Sequence, residues 1–148
     1  MTEEKIPTST LLKRLLKTTS LNRFILRYDK EMSSIPSFCE YINNLCTEKE
    51  VPPERIIKKS DIERTYGHQI FNGTRKPSRD KVIQLAFGFE MSYEETKKML
   101  SVAKKSAFHP KIKRDAVIIF ALERGFSIDA VQSTLLELKL PILGEDKT

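Results

Sequence analysis

The chain has 148 residues, enough for one domain with appendages around a buried core. Charged residues make up 31%, Trp is absent and the net charge is +6, which suits a nucleic acid or an acidic partner without choosing between them. The early apolar stretch LLKRLL is broken by Lys13 and Arg14, so it is neither a signal-peptide core nor a membrane span.

The pattern reads as helix almost throughout. Leu11, Leu12, Leu15 and Leu16 form one apolar stripe. Leu21, Phe24, Ile25 and Tyr28 form another at i, i+3, i+4, i+7, with Ser20 as its N-cap. Three outlets are open for these faces: the C-terminal helices, a second subunit, or a partner protein. A bilayer surface is disfavoured, because Glu3, Glu4, Asp29 and Glu31 dilute the basic charge. Ser37-x-x-Glu40 is a capping box, opening a helix with Phe38, Ile42 and Leu45 on its inner face.

Pro52 and Pro53 suit the first turn of the next helix, and Glu54 sits at the positive end of its dipole. Ile56 and Ile57 face inward; Arg55, Lys58 and Lys59 stay in water. Ser60 and Asp61 interrupt the helix, and Asp tolerates left-handed φ. A second helix is predicted over roughly Glu63 to Phe71, with Ile62, Tyr66 and Ile70 as its inward stripe and Asn72-Gly73 as its stop. Two short helices joined by a tight turn are the layout that carries one helix into the major groove of DNA. Facing away from the stripe are Arg64, Thr65, His68 and Gln69, all able to meet base edges or phosphates. Arg64 suits guanine and Gln69 suits adenine. Arg75, Lys76 and Arg79 form a basic segment beside this helix that points to phosphate contact. For Tyr66, the ring is expected in the core and the hydroxyl on a local partner.

Ser78 reads as an N-cap with Asp80 in the first turn. Val82-Ile83-x-Leu85-Ala86-Phe87 is apolar nearly all round and therefore buried; Gly88 to Met91 makes a break. Ser92-x-x-Glu95 starts a helix to about Ala107, and Phe108-His109-Pro110 breaks it. Asp115 to Arg124 is a core or interface helix capped by Gly125. A last helix follows from Ser127, carrying Val131, Leu135 and Leu138, with Pro141 expected to end it. From Thr96 to Arg114 there are seven Lys or Arg and no Asp or Glu. That run is either a second phosphate-contacting patch or a solvated face.

Ile56, Ile62, Ile70, Asn72-Gly73 and Arg75-Lys76-Pro77-Ser78 together resemble the phage-repressor (Xre-like) helix-turn-helix family of bacterial transcriptional regulators, over about Phe38 to Leu100. Arg114-Asp115-Ala116 and the apolar run after it resemble the subset with a helical C-terminal extension. The resemblance implies an all-α fold with a five-helix core and a two-helix C-terminal extension, to which the apolar stripes of the first 35 residues add N-terminal helices. The expected layout is an N-terminal appendage over 1–35, the DNA-binding domain over 36–107 and a two-helix extension over 108–143, packed on the core or at a dimer contact. The resemblance assigns base reading to Arg64, Thr65, His68 and Gln69, and phosphate holding to Asn72, Arg75 and Lys76. Three positions depart from the family pattern. Ile57 stands where a small residue is usual, implying wider helix spacing. Asp61 replaces the turn glycine. Gly67 stands where an apolar residue is expected, and would let its helix lie close to its neighbour.

Cys39 and Cys46, seven apart on one helix, are about 10 Å apart along its axis, too far for a disulfide. Reduced, half-buried thiols in a cytoplasmic protein, nucleoid-associated when DNA-bound, are expected. With two histidines and no Gly-rich phosphate loop, Gly-x-Ser-x-Gly, His-Glu-x-x-His or Cys-x-x-Cys, no enzyme, metal or cofactor is expected. The leading expectation is a sequence-specific, double-stranded-DNA-binding transcriptional regulator acting as a homodimer. The competing one is an adaptor or antitoxin-like protein whose terminal helices hold a partner. RNA binding lacks an aromatic stacking platform.

Overall fold

A computed structural model of the chain describes residues 6–33 and 37–144. It is all-α: the described residues form nine helices and no strand. None of these helices is long and apolar enough to cross a membrane. The chain divides into two compact units, Met1–Pro36 and Ser37–Thr148.

The first unit holds α1 (Thr8–Lys17) and α2 (Leu21–Ser33). Ser20 Oγ accepts from the Arg23 amide at 3.4 Å, the predicted cap. Helix α2 kinks at Tyr28, whose φ is −111° and ψ 19°. The Tyr28 hydroxyl accepts from Arg14 at 3.0 Å, and its ring lies 4.7 Å from that of Phe24. The second predicted stripe splits: Phe24 and Tyr28 are buried, whereas Leu21 is 60% exposed. Leu12, Leu15 and Leu16 are exposed too. Glu3 and Glu4 lie outside the described residues, as does the Glu31 side chain.

The second unit runs α3 (Phe38–Glu48), α4 (Pro53–Lys59), α5 (Arg64–Asn72), α6 (Arg79–Gly88), α7 (Tyr93–Val102), α8 (Lys113–Glu123) and α9 (Ile128–Glu137). Helix starts follow the sequence. Ser37, Ser78, Ser92 and Ser127 each accept from the amide three residues on, and at Ser92 the Glu95 carboxylate completes the capping box. Helix ends do not. α7 stops at Val102 instead of running to Ala107, and α9 stops at Glu137, ahead of Pro141. Leu138 is therefore a cap, 56% exposed.

α6 is the central helix, buried at every position from Val82 to Gly88. α4, α7 and α9 pack against it, α3 and α4 pack on α5, and α8 joins α7 to α9. One apolar cluster runs from Ile42 through Ile70, Ile83 and Met99 to Ile118 and Leu135. Each such side chain contributes about 1.5–3 kcal/mol on burial. The extension thus shares the core of the preceding helices. Two ion pairs close the seam. Arg79 meets Asp115 at 3.2–3.3 Å, and Arg114 meets Asp80 at 2.8–3.0 Å, both bidentate.

Candidate nucleic-acid interface

α4 and α5 are joined by a turn in which Asp61 takes φ 56°, the left-handed conformation a glycine would enter freely. Gln84 of α6 holds this turn. Its side chain is 2% exposed and its amide donates to the carbonyls of Ser60 and Asp61 at 3.1 and 3.3 Å. Ser60, also buried, donates to Ile56 O at 2.6 Å. Gly67 brings α5 against α4 as its lack of a side chain allows. The spacing stays close despite Ile57, contrary to the wider packing expected from that residue: a Cβ at Gly67 would sit 2.5 Å from Ile57 Cγ2.

The start of α5 is capped by Glu63, expected inside the helix. Its carboxylate accepts from the amides of Thr65 and Tyr66 at 2.9 and 2.8 Å. Those backbone bonds hold its pKa below the usual glutamate value. The far end is Gly73 at φ 84°, and Asn43 of α3 ties it down by donating to Phe71 O at 2.7 Å.

Arg64 and Thr65 are exposed on the first turn of α5; His68 and Gln69 are half-buried on the second. Arg64 pairs with Glu54 at 3.2 Å, with 78% of its side chain in solvent. A pair that exposed is worth about 0–1 kcal/mol, so it exchanges readily for another acceptor. Gln69 is held more firmly: Arg75 Nε donates to its Oε1 at 3.0 Å. Arginine carries donors only, so the bond fixes which end of the Gln69 amide faces it. The Arg75 guanidinium stacks 4.6 Å from the centre of the Tyr66 ring, with Lys81 5.5 Å from the same ring. The Tyr66 hydroxyl, expected to find a local partner, is enclosed with none among the described residues.

The phosphate candidates sort differently. Asn72 Oδ1 accepts from the amide and hydroxyl of Thr74 at 3.0 and 2.7 Å, shaping the loop. Lys76 is exposed and forms no ion pair among the described residues. Arg79 does not belong with them. Besides Asp115, it donates to Ser106 O at 3.0 Å and Ala107 O at 3.4 Å, which turns it into the protein. Sequence reasoning missed Gln84 and Glu63: glutamine sat unnoticed in an apolar run, and Glu is not among the preferred caps.

Cys39 and Cys46 are free thiols, and burial pushes Cys46 up from its ordinary pKa. Among the described residues no three His, Cys, Asp or Glu side chains gather as a metal site would need. A cavity of about 530 Å³ lies between the end of α4 and the α8–α9 turn, lined by Lys58, Lys59, Glu90, Phe126 and Asp129 among others. Comparisons with family models, with curated proteins and with solved structures find no match for this chain.

Proposed function

We propose that the protein is a sequence-specific, double-stranded-DNA-binding transcriptional regulator of the phage-repressor helix-turn-helix type, with α5 entering the major groove. The observation that carries this reading is the outward face of α5. Arg64 and Thr65 are open on its first turn, Gln69 is oriented on its second, and the exposed Thr74–Lys76 loop follows directly. Arg64 reads guanine and Gln69 reads adenine, while Asn72, Arg75 and Lys76 hold the backbone. One reading helix covers few base pairs, so the active species is a homodimer on two half-sites about 34 Å apart. Its place is the cytoplasm, on the nucleoid when bound.

The test is selection of bound sequences from a random duplex pool at two salt concentrations. Arg64→Ala should weaken the selected site by about 1–3 kcal/mol and spare random DNA. Lys76→Ala should weaken both and lower the salt slope by about 1. A pool with no enriched sequence, or equal losses for Arg64→Ala on both duplexes, refutes the assignment. The adaptor or antitoxin-like reading has one observation in its favour, the exposed Leu12, Leu16, Leu21 and Leu26 of the first unit. It expects no enriched sequence and a protein partner lost when those leucines become polar.

A further inference from the structure

We propose that the segment from Lys104 to Lys113 is a second phosphate-contacting surface for duplex DNA, continuous with the Thr74–Lys76 loop. This rests on the DNA-binding reading above and extends it to residues outside the reading helix and its loop.

The structure sorts the acid-free run between Thr96 and Arg114. Arg114 is bound to Asp80, and Lys97 lies 3.7 Å from Glu94. Lys98, Lys104, Lys105, Lys111 and Lys113 have no ion pair among the described residues. Three of these five, Lys104, Lys105 and Lys111, fall in the connection between α7 and α8, and Lys113 is the first residue of α8. Asp115, two residues past Lys113, is already paired with Arg79.

The connection has a defined shape. Lys104 turns the chain at φ 58°. Phe108 is buried, its ring 5.9 Å from that of Tyr93. The His109 amide donates to Asp115 at 2.9 Å, and the Lys111 amide donates to His109 Nδ1 at 3.2 Å. Four unpaired cations on a fixed backbone repel one another at a cost to the fold. A polyanion with closely spaced charges removes that repulsion, and each contact releases a counterion.

Arg79 joins this surface to the candidate DNA face. Its guanidinium grips Ser106 O and Ala107 O while its backbone begins α6, three residues after Lys76. Three residues span at most about 11 Å. The lysine-bearing connection is therefore pinned beside the loop that follows α5, and duplex DNA offers one phosphate per about 1.7 Å of axis there. What looked in the sequence like a phosphate ligand, Arg79, is the residue that places other phosphate ligands.

Two double variants of the full chain test this, Lys104→Gln/Lys105→Gln and Lys111→Gln/Lys113→Gln. The readout is fluorescence anisotropy on a random-sequence duplex and on a selected duplex, each over a salt series, with thermal melts to verify folding. Each pair should lower the log–log salt slope by about 1–2 and weaken both duplexes by the same factor, leaving sequence preference unchanged. Lys104→Arg/Lys105→Arg should keep the wild-type slope. Lys58→Gln/Lys59→Gln removes the same charge at the cavity beneath the α8–α9 turn and should leave the slope near wild type. The inference is overturned if the loop pairs leave the slope intact while Lys76→Ala lowers it. It is equally overturned if the Lys58/Lys59 pair lowers the slope as much as they do. Absence of duplex binding by the wild-type chain would remove the DNA-binding reading along with it.

Discussion

The space a side chain would need at Gly67 is filled by Ile57. A Cβ on the glycine would stand 2.5 Å from Cγ2 and 2.8 Å from Cγ1 of the isoleucine. The chain carries the large residue on α4 and the small one on α5, and the two compensate. Gly67→Ala gains about 1 kcal/mol of helix propensity and meets an overpacking cost of about 1–3 kcal/mol. Ile57→Ala should cost about 2–4 kcal/mol through the cavity it opens. In the double variant the new methyl enters that cavity, so the loss should fall short of the sum by about 1 kcal/mol or more. Urea denaturation of the four proteins decides it; additivity within about 0.5 kcal/mol would separate the two positions.

The two Arg-Asp pairs, Arg79-Asp80 and Arg114-Asp115, exchange partners between the starts of α6 and α8. Asp80 is 5% exposed and also accepts from the Gly144 amide at 3.1 Å. Arg114→Met should therefore cost about 3 kcal/mol, because it strands a buried carboxylate. Adding Asp80→Asn should recover part of that loss. Denaturation midpoints check both; a single variant as stable as wild type would mean the seam does not depend on this pair.

The bond from Arg75 to Gln69 makes a prediction about specificity, granted DNA binding. Arg75→Lys keeps the charge and loses the planar donor that orients the amide. Discrimination at the base pair read by Gln69 should fall by about 1 kcal/mol, within the range of a good bidentate contact, while affinity for random duplex holds. Competition between the selected site and its single-base variants measures it. Loss of affinity without loss of discrimination would return Arg75 to a backbone-only role.

Glu63 ties stability to acid pH. Its folded-state pKa lies below the ordinary value of 4.5 because two backbone amides favour the carboxylate. A depressed pKa stabilises the fold fully above the unfolded value, and that contribution is lost as pH falls through the folded one. Glu63→Gln should thus melt below wild type at neutral pH, with the difference shrinking as the pH drops from 4.5 downward. Parallel melting curves across that range would exclude the cap as a source of acid sensitivity.

The thiols should differ in reactivity. Cys46 is 5% exposed with its pKa raised by burial, so less of it is thiolate at neutral pH. Cys39 is only half-buried. Alkylation at neutral pH followed by peptide mass analysis should label Cys39 well ahead of Cys46. Equal rates would contradict this packing.

Much of the fold was legible in the chain because helix starts are local. A serine oxygen meets an amide three residues on, and Ser37, Ser78, Ser92 and Ser127 need nothing else. Helix ends were harder to read for an equally physical reason. Val51, Ile62, Met91, Lys105, Phe126 and Leu140 each donate their amide to the carbonyl five residues back, the Schellman closure. The left-handed residue before them is glycine only at Gly125; elsewhere it is Glu50, Asp61, Glu90, Lys104 and Lys139. No glycine marked those stops. A mostly apolar residue after each turn anchors it instead, and that anchor exists only once the core has formed.

Of the candidate site, the order of residues along α5 was visible in the four-residue repeat of Ile62, Tyr66 and Ile70, since a helix sends the intervening side chains outward. The roles of charged and polar side chains with distant partners were not. Arg79 finds Asp115 and Gln84 finds the Ser60–Asp61 turn, 36 and 24 residues away. Periodicity carries no information across such gaps. Capping and amphipathic spacing are satisfied within one or two turns of chain, so they could be read in a line of letters. Which arginine is turned inward, which lysines stay unpaired, and how closely α5 approaches α4 depend on surfaces meeting after collapse, and those were settled only in three dimensions.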